Sequence, residues 1–598
     1  FNMDSKSPNS MTLETKKSLI KKLATSGINI TPEMLEILLK FKDPLSKLTY
    51  IIKETSFVPE FKGHITENIL SKISDKEIKK VLRRGVFKDE VISDQIEDAT
   101  ASKSIQSEQA LKHPVQNKPE GKKVERKLKN ANLSRSPVKE AHSDTIRSTE
   151  KKSPKKRKVK ATGGTKSPLS FNPVAKDYNA QYNILKDPTH NLYTKGEYED
   201  FYDLLLDKFK RLENLMKKRG EALSANNINS IYRLSSNVEV SILGLVENIR
   251  QTKNGHYFLT VEDLTGSVNV LVRGNVEDKE LLKTIQSTIS DQMLFIRGTF
   301  KPGDKRSKGI IYADYVTRID IPTNFEPTLS PDPISIALLS DTHIGSKEFE
   351  EKLWNRFIKF LNGNLGNHNM REIAGRIKYI IINGDLVDGI GIYPSQEEDL
   401  LITDIYDQYK RSAEFISQIP DYVQIFYTSG NHEPVRNAIP RPAVPKKYSE
   451  ELRNLGVKCI GNPCLIETHQ VKTLAFHGDS FLDLNMIIPG VENEKPEKTM
   501  RELLKCRHLA PVYGKKTQIA PTSTDHLVIE EIPEIFHTRH VHINGQGTYR
   551  NVRLFNSGCF QSQTDFMKSF GITPTPGRVP IIELDTLKVD APLDFNQL

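Results

Sequence analysis

Apolar residues recur at helical spacing in two parts of the chain. Between residues 11 and 85, Leu19, Ile20 and Leu23 lie three or four positions apart, and Thr31 precedes a proline as a helix N-cap does. This pattern predicts a small helical module. From Glu197 to Arg219 apolar side chains again recur every three or four positions, which predicts one long amphipathic helix.

Between residues 238 and 313 the helical spacing gives way to short runs in which apolar and polar residues alternate. Gly and Asn separate these runs, and the alternation predicts strands. The five runs are Val238–Ile242, Tyr257–Asp263, Ser267–Val272, Met293–Gly298 and Ile310–Ala313. Five such strands resemble an OB-fold barrel. Five aromatic residues in or beside them are candidates for stacking on bases of single-stranded nucleic acid, or else fill the barrel interior. They are Tyr257, Phe258, Phe295, Phe300 and Tyr312.

From Asp332 onward, apolar strands alternate with helical stretches, an α/β pattern, and five of the strands end in polar clusters. Loops at strand ends converge in space, and Asp, Asn and His together suit a two-metal site with oxygen and nitrogen ligands. A single such cluster arises by chance, but the ordered set does not. The clusters are Asp341-Thr342-His343, Gly384-Asp385-Leu386-Val387-Asp388, Gly430-Asn431-His432-Glu433, His477-Gly478-Asp479 and His540-Val541-His542.

Charge is distributed unevenly along the 598 residues, whose net charge is +10. Residues 101–170 hold 19 Lys and Arg against 6 Asp and Glu, so the rest of the chain is slightly acidic. Because no aromatic residue occurs from Lys88 to Ser170, we expect a disordered linker there. Its basic run, Pro154–Val159, has the form of a nuclear localisation signal or of a solvated charge run near phosphates.

Cysteine content and hydropathy exclude several classes of protein. Four cysteines without a C-x-x-C pair fit neither a disulfide framework nor a structural zinc site, so we expect a reducing compartment. No apolar run approaches the ~18 residues that a membrane span needs. The first residues also lack a basic segment followed by an apolar one, so we expect neither secretion nor membrane insertion.

The ordered clusters resemble the calcineurin-like metallophosphoesterases over roughly residues 334–579. The resemblance implies that Asp341, His343 and His542 bind one metal, that Asn431, His477 and His540 bind a second, and that Asp385 bridges them. It also implies that His432 stabilises the transition state or protonates the leaving oxygen, with Asp388 orienting a ligand and Glu433 in a supporting role. Arg539 departs from the glycine usual there. This difference predicts loop strain and weaker metal binding, a contact with a DNA phosphate, or a harmless change at a permissive position.

An OB-fold directly before a phosphoesterase domain resembles the B-subunits of replicative DNA polymerases. The stretches Met500–Pro511, Tyr513–Gly514, Asn556–Gly558 and Gln561–Thr564 further resemble the small subunits of archaeal family D DNA polymerase. That resemblance implies a proofreading 3′-to-5′ exonuclease with two divalent metal ions, Mn²⁺ favoured over Mg²⁺, and a large catalytic partner subunit. Arg507 and His508 are candidates for lining the DNA path, or else form a structural helix end.

The resemblance further implies primer–template DNA and single-stranded 3′ ends as partners, a sliding clamp reached through the complex, and a cytoplasmic, nucleoid-associated protein of an archaeal cell. A scaffolding subunit with weak or no nuclease activity is the alternative function, and a free-standing phosphatase is a third. The expected layout has four parts: a helical module at residues 1–85, a disordered basic linker at 86–185, a helix plus OB-fold barrel at 186–325, and the phosphoesterase domain at 326–598. We expect the phosphoesterase domain to be a two-sheet β-sandwich flanked by helices.

Overall fold

The computed structural model describes residues 171–304, 308–569 and 571–598, together with several stretches between residues 19 and 79. The chain divides into two compact units after Ser153. The linker predicted before residue 171, its basic run and the helix start predicted at Thr31 lie outside the described residues.

The described part of the N-terminal unit is a small core. It contains the helices Pro44–Thr55 and Glu67–Lys72, and the two-residue strands Asn29–Ile30 and His64–Ile65 pair in parallel. Leu19 and Leu23, which the helical spacing singled out, are buried here with Leu48, Ile51 and Leu70.

The second unit contains a closed five-stranded barrel, as predicted. The barrel strands are Val238–Gln251, Tyr257–Asp263, Gly266–Val272, Met293–Lys301 and Ile310–Arg318. In chain order they are arranged 1-2-3-5-4, with the fourth strand closing onto the first and the third and fifth running parallel. This is a five-stranded barrel of the OB type. Phe295 and Phe300 are buried, whereas Phe258 and Tyr312 are half-buried.

The long amphipathic helix is also confirmed, at Tyr198–Lys217. Its apolar face, with Phe209, Leu212 and Met216, packs against barrel residues and Val528. The helix therefore joins the barrel to the C-terminal region. Two shorter helices, Ile228–Ile231 and Lys279–Gln286, pack on the barrel.

Two six-stranded sheets form the C-terminal region. In spatial order, the first sheet consists of Lys458–Ile460, Gln424–Thr428, Ile377–Asn383, Ser335–Leu339, Arg578–Glu583 and Val589–Asp594. Its first four strands are parallel. The second sheet consists of Gly545–Tyr549, Val552–Asn556, Ile535–Thr538, Val471–Ala475, Cys464–Thr468 and Tyr182–Lys186.

Apolar side chains of the two sheets meet in one core, in which Leu338 and Ile381 of the first sheet pack with Ile535 and Phe555 of the second. Helices cover the outer face of each sheet, as the alternation of helices and strands predicts. The helices are Glu351–Leu361, His368–Arg376, Ile405–Ile416, Lys446–Asn454, Phe481–Ile487 and Pro496–Cys506. One further short helix is Asp565–Ser569.

The end of the predicted linker needs correction. Tyr182–Lys186 is a strand that pairs with Cys464–Thr468, and the Tyr182 ring lies 5.2 Å from that of Phe426. The aromatic-free stretch ends at Ser170, and the apolar side chains that follow it supply an edge strand. Residues 171–185 thus belong to the folded C-terminal region.

Among the residues that the structure describes, no helix combines the length and the apolar character needed to cross a membrane.

Candidate metal centre

Polar residues from both sheets meet where the predicted strands end. Ser335–Leu339, Ile377–Asn383 and Gln424–Thr428 of the first sheet lead into the clusters at Asp341, Asp385 and Asn431. Val471–Ala475 and Ile535–Thr538 of the second sheet lead into His477 and the pair His540 and His542. The seven predicted ligands therefore lie at one end of the sandwich.

The backbone is unusual at these positions. Among the described residues, 14 non-glycine residues have a positive φ, and five of them are predicted ligands. Such conformations are costly for residues with a side chain, and they cluster at functional sites. The five ligands are Asp341, His343, Asp385, His540 and His542. The Gly430 backbone also lies close to the Asp385 side chain, since a Cβ atom at Gly430 would lie 2.3 Å from Asp385 Oδ1.

Asp341, His343 and His542 form one group. Asp341 Oδ1 lies 3.3 Å from His542 Nε2 and 3.8 Å from His343 Nε2, and the imidazole rings of the two histidines stack. Asp341 Oδ1 and His343 Nε2 are buried and have no hydrogen-bond partner among the described residues. A cation between these atoms would satisfy groups that are otherwise costly to bury.

Asp385 lies between this group and the second one. Its Oδ2 is 3.9 Å from His343 Nε2 and 3.2 Å from His477 Nε2. Asn431 Oδ1 is 2.9 Å from His477 Nε2 and 3.2 Å from His540 Nδ1. Burial lowers the pKa of His477, but the charge of Asp385 outweighs it and raises the pKa to about 10. Asp385 thus lies between the two groups of nitrogen and oxygen donors.

Asp388 and His432 lie beside the first group. Asp388 Oδ1 accepts a 2.9 Å hydrogen bond from His343 Nδ1, which leaves His343 Nε2 pointing toward Asp341 and Asp385. His432 Nδ1 donates to the Asp388 carbonyl at 2.6 Å, and the His432 ring is partly exposed. Asp388 thus orients His343, whereas the His432 ring is open to solvent on one side.

Glu433 fixes the two loops that carry Asp385 and Asn431. Its carboxylate accepts hydrogen bonds from the backbone N–H groups of Asp385, Leu386 and Gly430 and from the Tyr427 hydroxyl. Burial, reinforced by the charge of Asp385, raises the pKa of Glu433 to about 7. Glu433 is therefore a structural group, the role that the resemblance implies.

Arg539 agrees, in its backbone, with the third expectation, a permissive position. It is not among the described residues with a positive φ, so it does not strain the loop in that way, and its side chain is fully buried, so it does not face a DNA phosphate. Its Nε donates to Asp341 Oδ2 at 2.7 Å, and the same carboxylate oxygen accepts from the Ser340 hydroxyl. Burial raises the pKa of Asp341, but the charges of Arg539 and His542 outweigh it and hold the pKa well below its usual range.

Arg507 and His508 do not line an open path, and the structural alternative is correct for both. Arg507 is 4% exposed and donates to the carbonyls of Ile529 and Glu530 at 2.7 and 2.6 Å. His508 is 2% exposed, and its Nε2 lies 2.9 Å from Asp525 Oδ2. Their charged or polar groups are satisfied inside the protein.

Two glutamines complete the site without having been assigned a role from the sequence. Gln396 donates to Asp388 Oδ2 at 2.9 Å, and Gln561 donates to Asp388 Oδ1 at 3.3 Å. Gln561 lies in a stretch that resembles the polymerase small subunits, and that resemblance is the only indication of its role in the sequence. Gln396 lies in a surface 3₁₀ turn, and no sequence pattern indicates its role.

Comparison with known proteins agrees with this architecture. Residues 336–540 match the family of DNA polymerase alpha/epsilon B-subunits. The DNA polymerase II small subunit of Methanothermobacter thermautotrophicus is 37% identical over 71% of this chain and 84% of its own length. That of Methanocaldococcus jannaschii is 38% identical over 69% of this chain and 68% of its own.

Among solved structures, asparaginyl-tRNA synthetase from Pyrococcus horikoshii aligns at 18% identity and a TM-score of 0.13, over 14% of this chain and 19% of its own, which is too small a likeness to bear on the fold. The similarity to the polymerase small subunits, by contrast, extends over about two thirds of the chain at 34–38% identity. The chain therefore belongs to the family of archaeal DNA polymerase II small subunits, the small subunits of family D DNA polymerase.

Proposed function

We propose that this chain is the proofreading exonuclease subunit of a replicative DNA polymerase, hydrolysing phosphodiester bonds from the 3′ end of a strand and releasing 5′-mononucleotides. The observation that carries the proposal is the position of Asp385 Oδ2, 3.9 Å from His343 Nε2 and 3.2 Å from His477 Nε2. A carboxylate between two groups of nitrogen and oxygen donors is what a two-metal phosphodiesterase requires.

The donor set fits two divalent cations. Asp341, His343 and His542 would hold one, and Asn431, His477 and His540 would hold the other, with Asp385 shared. The family resemblance implies Mn²⁺, with Mg²⁺ as the alternative, and carboxylate and amide oxygens suit both ions. When bound, such ions polarise a phosphoryl oxygen and lower the pKa of water enough to supply a nucleophile near neutral pH.

His432 is the residue that we assign to the substrate. Its Nδ1–H is held by the Asp388 carbonyl, so the ring presents Nε2 on its other side. From there the imidazolium form donates a proton to the departing 3′-oxygen or a hydrogen bond to the phosphoryl group. Asp388 positions His343 and His432 together, so the two rings keep their edge-to-face contact, with centroids 4.6 Å apart.

The partners follow from the family. Its members are named as small subunits of a DNA polymerase, so we propose a large catalytic subunit as the partner, primer–template DNA and its 3′ ends as the substrate, and a sliding clamp reached through that complex. A frayed, mismatched terminus costs less unpairing energy to deliver to the site, and selectivity for errors follows from that difference.

A degradation assay tests the proposal. The purified chain, alone and with the large subunit, is incubated with Mn²⁺ and a 5′-labelled single strand, and we expect a ladder of progressively shorter products. His432→Ala should lower the rate at least about a hundredfold while metal content stays unchanged, because general acid–base groups contribute factors of this size. Asp385→Asn should lose bound metal as well as rate.

A scaffolding subunit is the second candidate function. The buried Arg539 favours it, because a fixed cation on Asp341 competes with a metal for that carboxylate. If the wild-type chain with its large subunit leaves the labelled strand intact in Mn²⁺, the scaffolding function is correct and the nuclease assignment is wrong.

A further inference from the structure

The outer surface of the barrel carries a row of side chains that the nuclease site does not use. Arg250 pairs across the strands with Phe258, Phe258 with Leu271, and Leu271 with Tyr312. Their strand neighbours Leu259 and Ile311 point into the barrel core, so the row faces outward. Phe258, Leu271 and Tyr312 are half-buried, and Arg250 is exposed.

Each aromatic ring in this row lies beneath a guanidinium group. Arg250 Cζ is 5.0 Å from the centroid of Phe258, and Arg273 Cζ is 5.9 Å from that of Tyr312. Phe258 and Tyr312 are two strands apart, which separates them by about 10 Å. Leu271, lying between them, continues the apolar surface. An exposed pair of a guanidinium group and an aromatic ring adds only about 0.5–1 kcal/mol to the stability of the fold. Stability alone therefore does not explain why two such pairs lie side by side.

The loops beside this row add positive charge. Lys253 lies in the turn before Tyr257–Asp263, Lys308 lies just before Ile310–Arg318, and both are exposed. Asp314, two positions beyond Tyr312, is the acidic residue nearest along that strand. A surface with aromatic faces, guanidinium groups and flanking lysines is complementary to stacked bases and their phosphates.

We propose that Phe258, Leu271, Tyr312, Arg250 and Arg273 form a stacking platform for single-stranded DNA. Bases stack on the two rings, and the guanidinium groups move from the rings to cover the stacked bases or to pair with phosphates. The choice of DNA rests on membership of a DNA polymerase family, and the platform does not depend on the chain being a nuclease.

The same barrel offers a matched control. Arg297 Cζ lies 5.2 Å from the Tyr315 ring centroid, so this pair has the same chemistry. Its surroundings are acidic, however, with Arg297 Nε 3.7 Å from Glu239 Oε1 and the Tyr315 hydroxyl 3.2 Å from Glu221 Oε2. Negative charge beside the pair repels phosphates, so Arg297 should not contribute to binding.

The first test measures binding of the full-length chain to a fluorescent oligothymidylate in EDTA, so that no strand is hydrolysed. The double variant Phe258→Leu and Tyr312→Leu keeps apolar side chains but removes the rings. We expect its dissociation constant to rise about tenfold or more, and that of Arg297→Ala to stay within twofold. The difference should persist at raised salt, where binding by the basic residues 101–170 is screened.

The second test identifies the contact directly. An oligonucleotide containing 5-iodouracil is irradiated with the wild-type chain, and cross-links should map to the peptides that carry Phe258 or Tyr312. Unchanged affinity of the double leucine variant, equal weakening in Arg297→Ala, or cross-links confined to other peptides would each overturn the platform. Because no metal is present, failure of the nuclease assignment would leave this result unaffected.

Discussion

Arg539 and Asp341 form an ion pair at the edge of the candidate metal centre. Both side chains are fully buried, and Nε lies 2.7 Å from Oδ2. Removing one partner of such a pair leaves an uncompensated buried charge. The free oxygen of Asp341, Oδ1, points instead toward His542. Arg539 therefore neutralises the charge of Asp341 on one side while leaving its Oδ1 available to another partner.

This arrangement predicts a stability defect that metal repairs. Arg539→Met should lower the free energy of unfolding by about 3–5 kcal/mol without metal, because Asp341 loses its counter-charge. Added Mn²⁺ supplies another counter-charge, so the rise of the thermal midpoint on adding Mn²⁺ should be larger in the variant than in the wild type. Differential scanning fluorimetry with and without Mn²⁺ measures both midpoints.

Arg550→Met is the control for this experiment. Arg550 pairs with Asp320 at 3.1 Å, and neither residue belongs to the predicted ligand set. The control should lose stability but show the wild-type response to Mn²⁺. Equal Mn²⁺ responses in the Arg539 and Arg550 variants would mean that Arg539 does not act on the metal centre.

At the scale of elements, the helix Tyr198–Lys217 is held on a loop of the C-terminal region by polar contacts. Lys208 donates to the Pro511 carbonyl at 2.6 Å, and Arg211 donates to the Asp525 carbonyl at 2.7 Å. Asp525 in turn accepts from the Leu527 N–H and contacts His508. This packing explains why His508, which follows a helix end in the sequence, is a structural residue.

The buried carboxylate in this contact predicts a dependence of stability on pH. Burial raises the pKa of Asp525, but the contacts with His508, the charge of Lys208 and the N–H of Leu527 outweigh it and lower the pKa to about 2. Since the folded pKa is below the ordinary value of 3.8, the stabilisation is present above about pH 4 and is lost as the pH falls toward 2. It amounts to about 2 kcal/mol.

Asp525→Asn tests this contribution. We expect the variant to be about 2 kcal/mol less stable than the wild type at neutral pH, and the difference to shrink as the pH falls below 4. Urea denaturation of both proteins across this range measures it. A difference that stays constant down to the lowest pH would show that Asp525 acts through shape rather than charge.

The sequence predicts those elements that depend on neighbouring residues in the chain. It does not predict contacts between segments that are distant in the chain. The barrel strands and the five strand ends follow from apolar runs and from the residues next to them, and the structure contains them. The burial of Arg507 and Arg539 depends on acceptors more than 20 and almost 200 residues away, respectively, so their position in the chain did not reveal it. Gln396 reaches Asp388 only because a turn folds back on the loop that carries Asp385 and Asp388.

At the scale of the molecule, the folded C-terminal region begins earlier than the linker prediction allows. The backbone N–H of Gln181 donates to the Tyr379 hydroxyl at 2.8 Å, and that hydroxyl donates to the Gln181 carbonyl at 2.9 Å. Asp187 accepts from the Gly461 N–H at 3.0 Å. The segment around Tyr182–Lys186 thus covers the edge of the second sheet and reaches across to the first.

Two truncations test whether residues 171–190 belong to the folded region. A chain that begins at residue 171 should keep the unfolding free energy of the C-terminal unit and its response to Mn²⁺, because it retains the edge strand. A chain that begins at residue 191 loses that strand's ladder hydrogen bonds and the Tyr182 ring against Phe426. We expect it to be destabilised by more than about 3 kcal/mol, because ring burial and hydrogen bonds are lost together.

An exposed sheet edge should also make the chain that begins at residue 191 aggregate. Denaturation curves and light scattering compare the two chains, and equal stability would place the start of the folded region after residue 190.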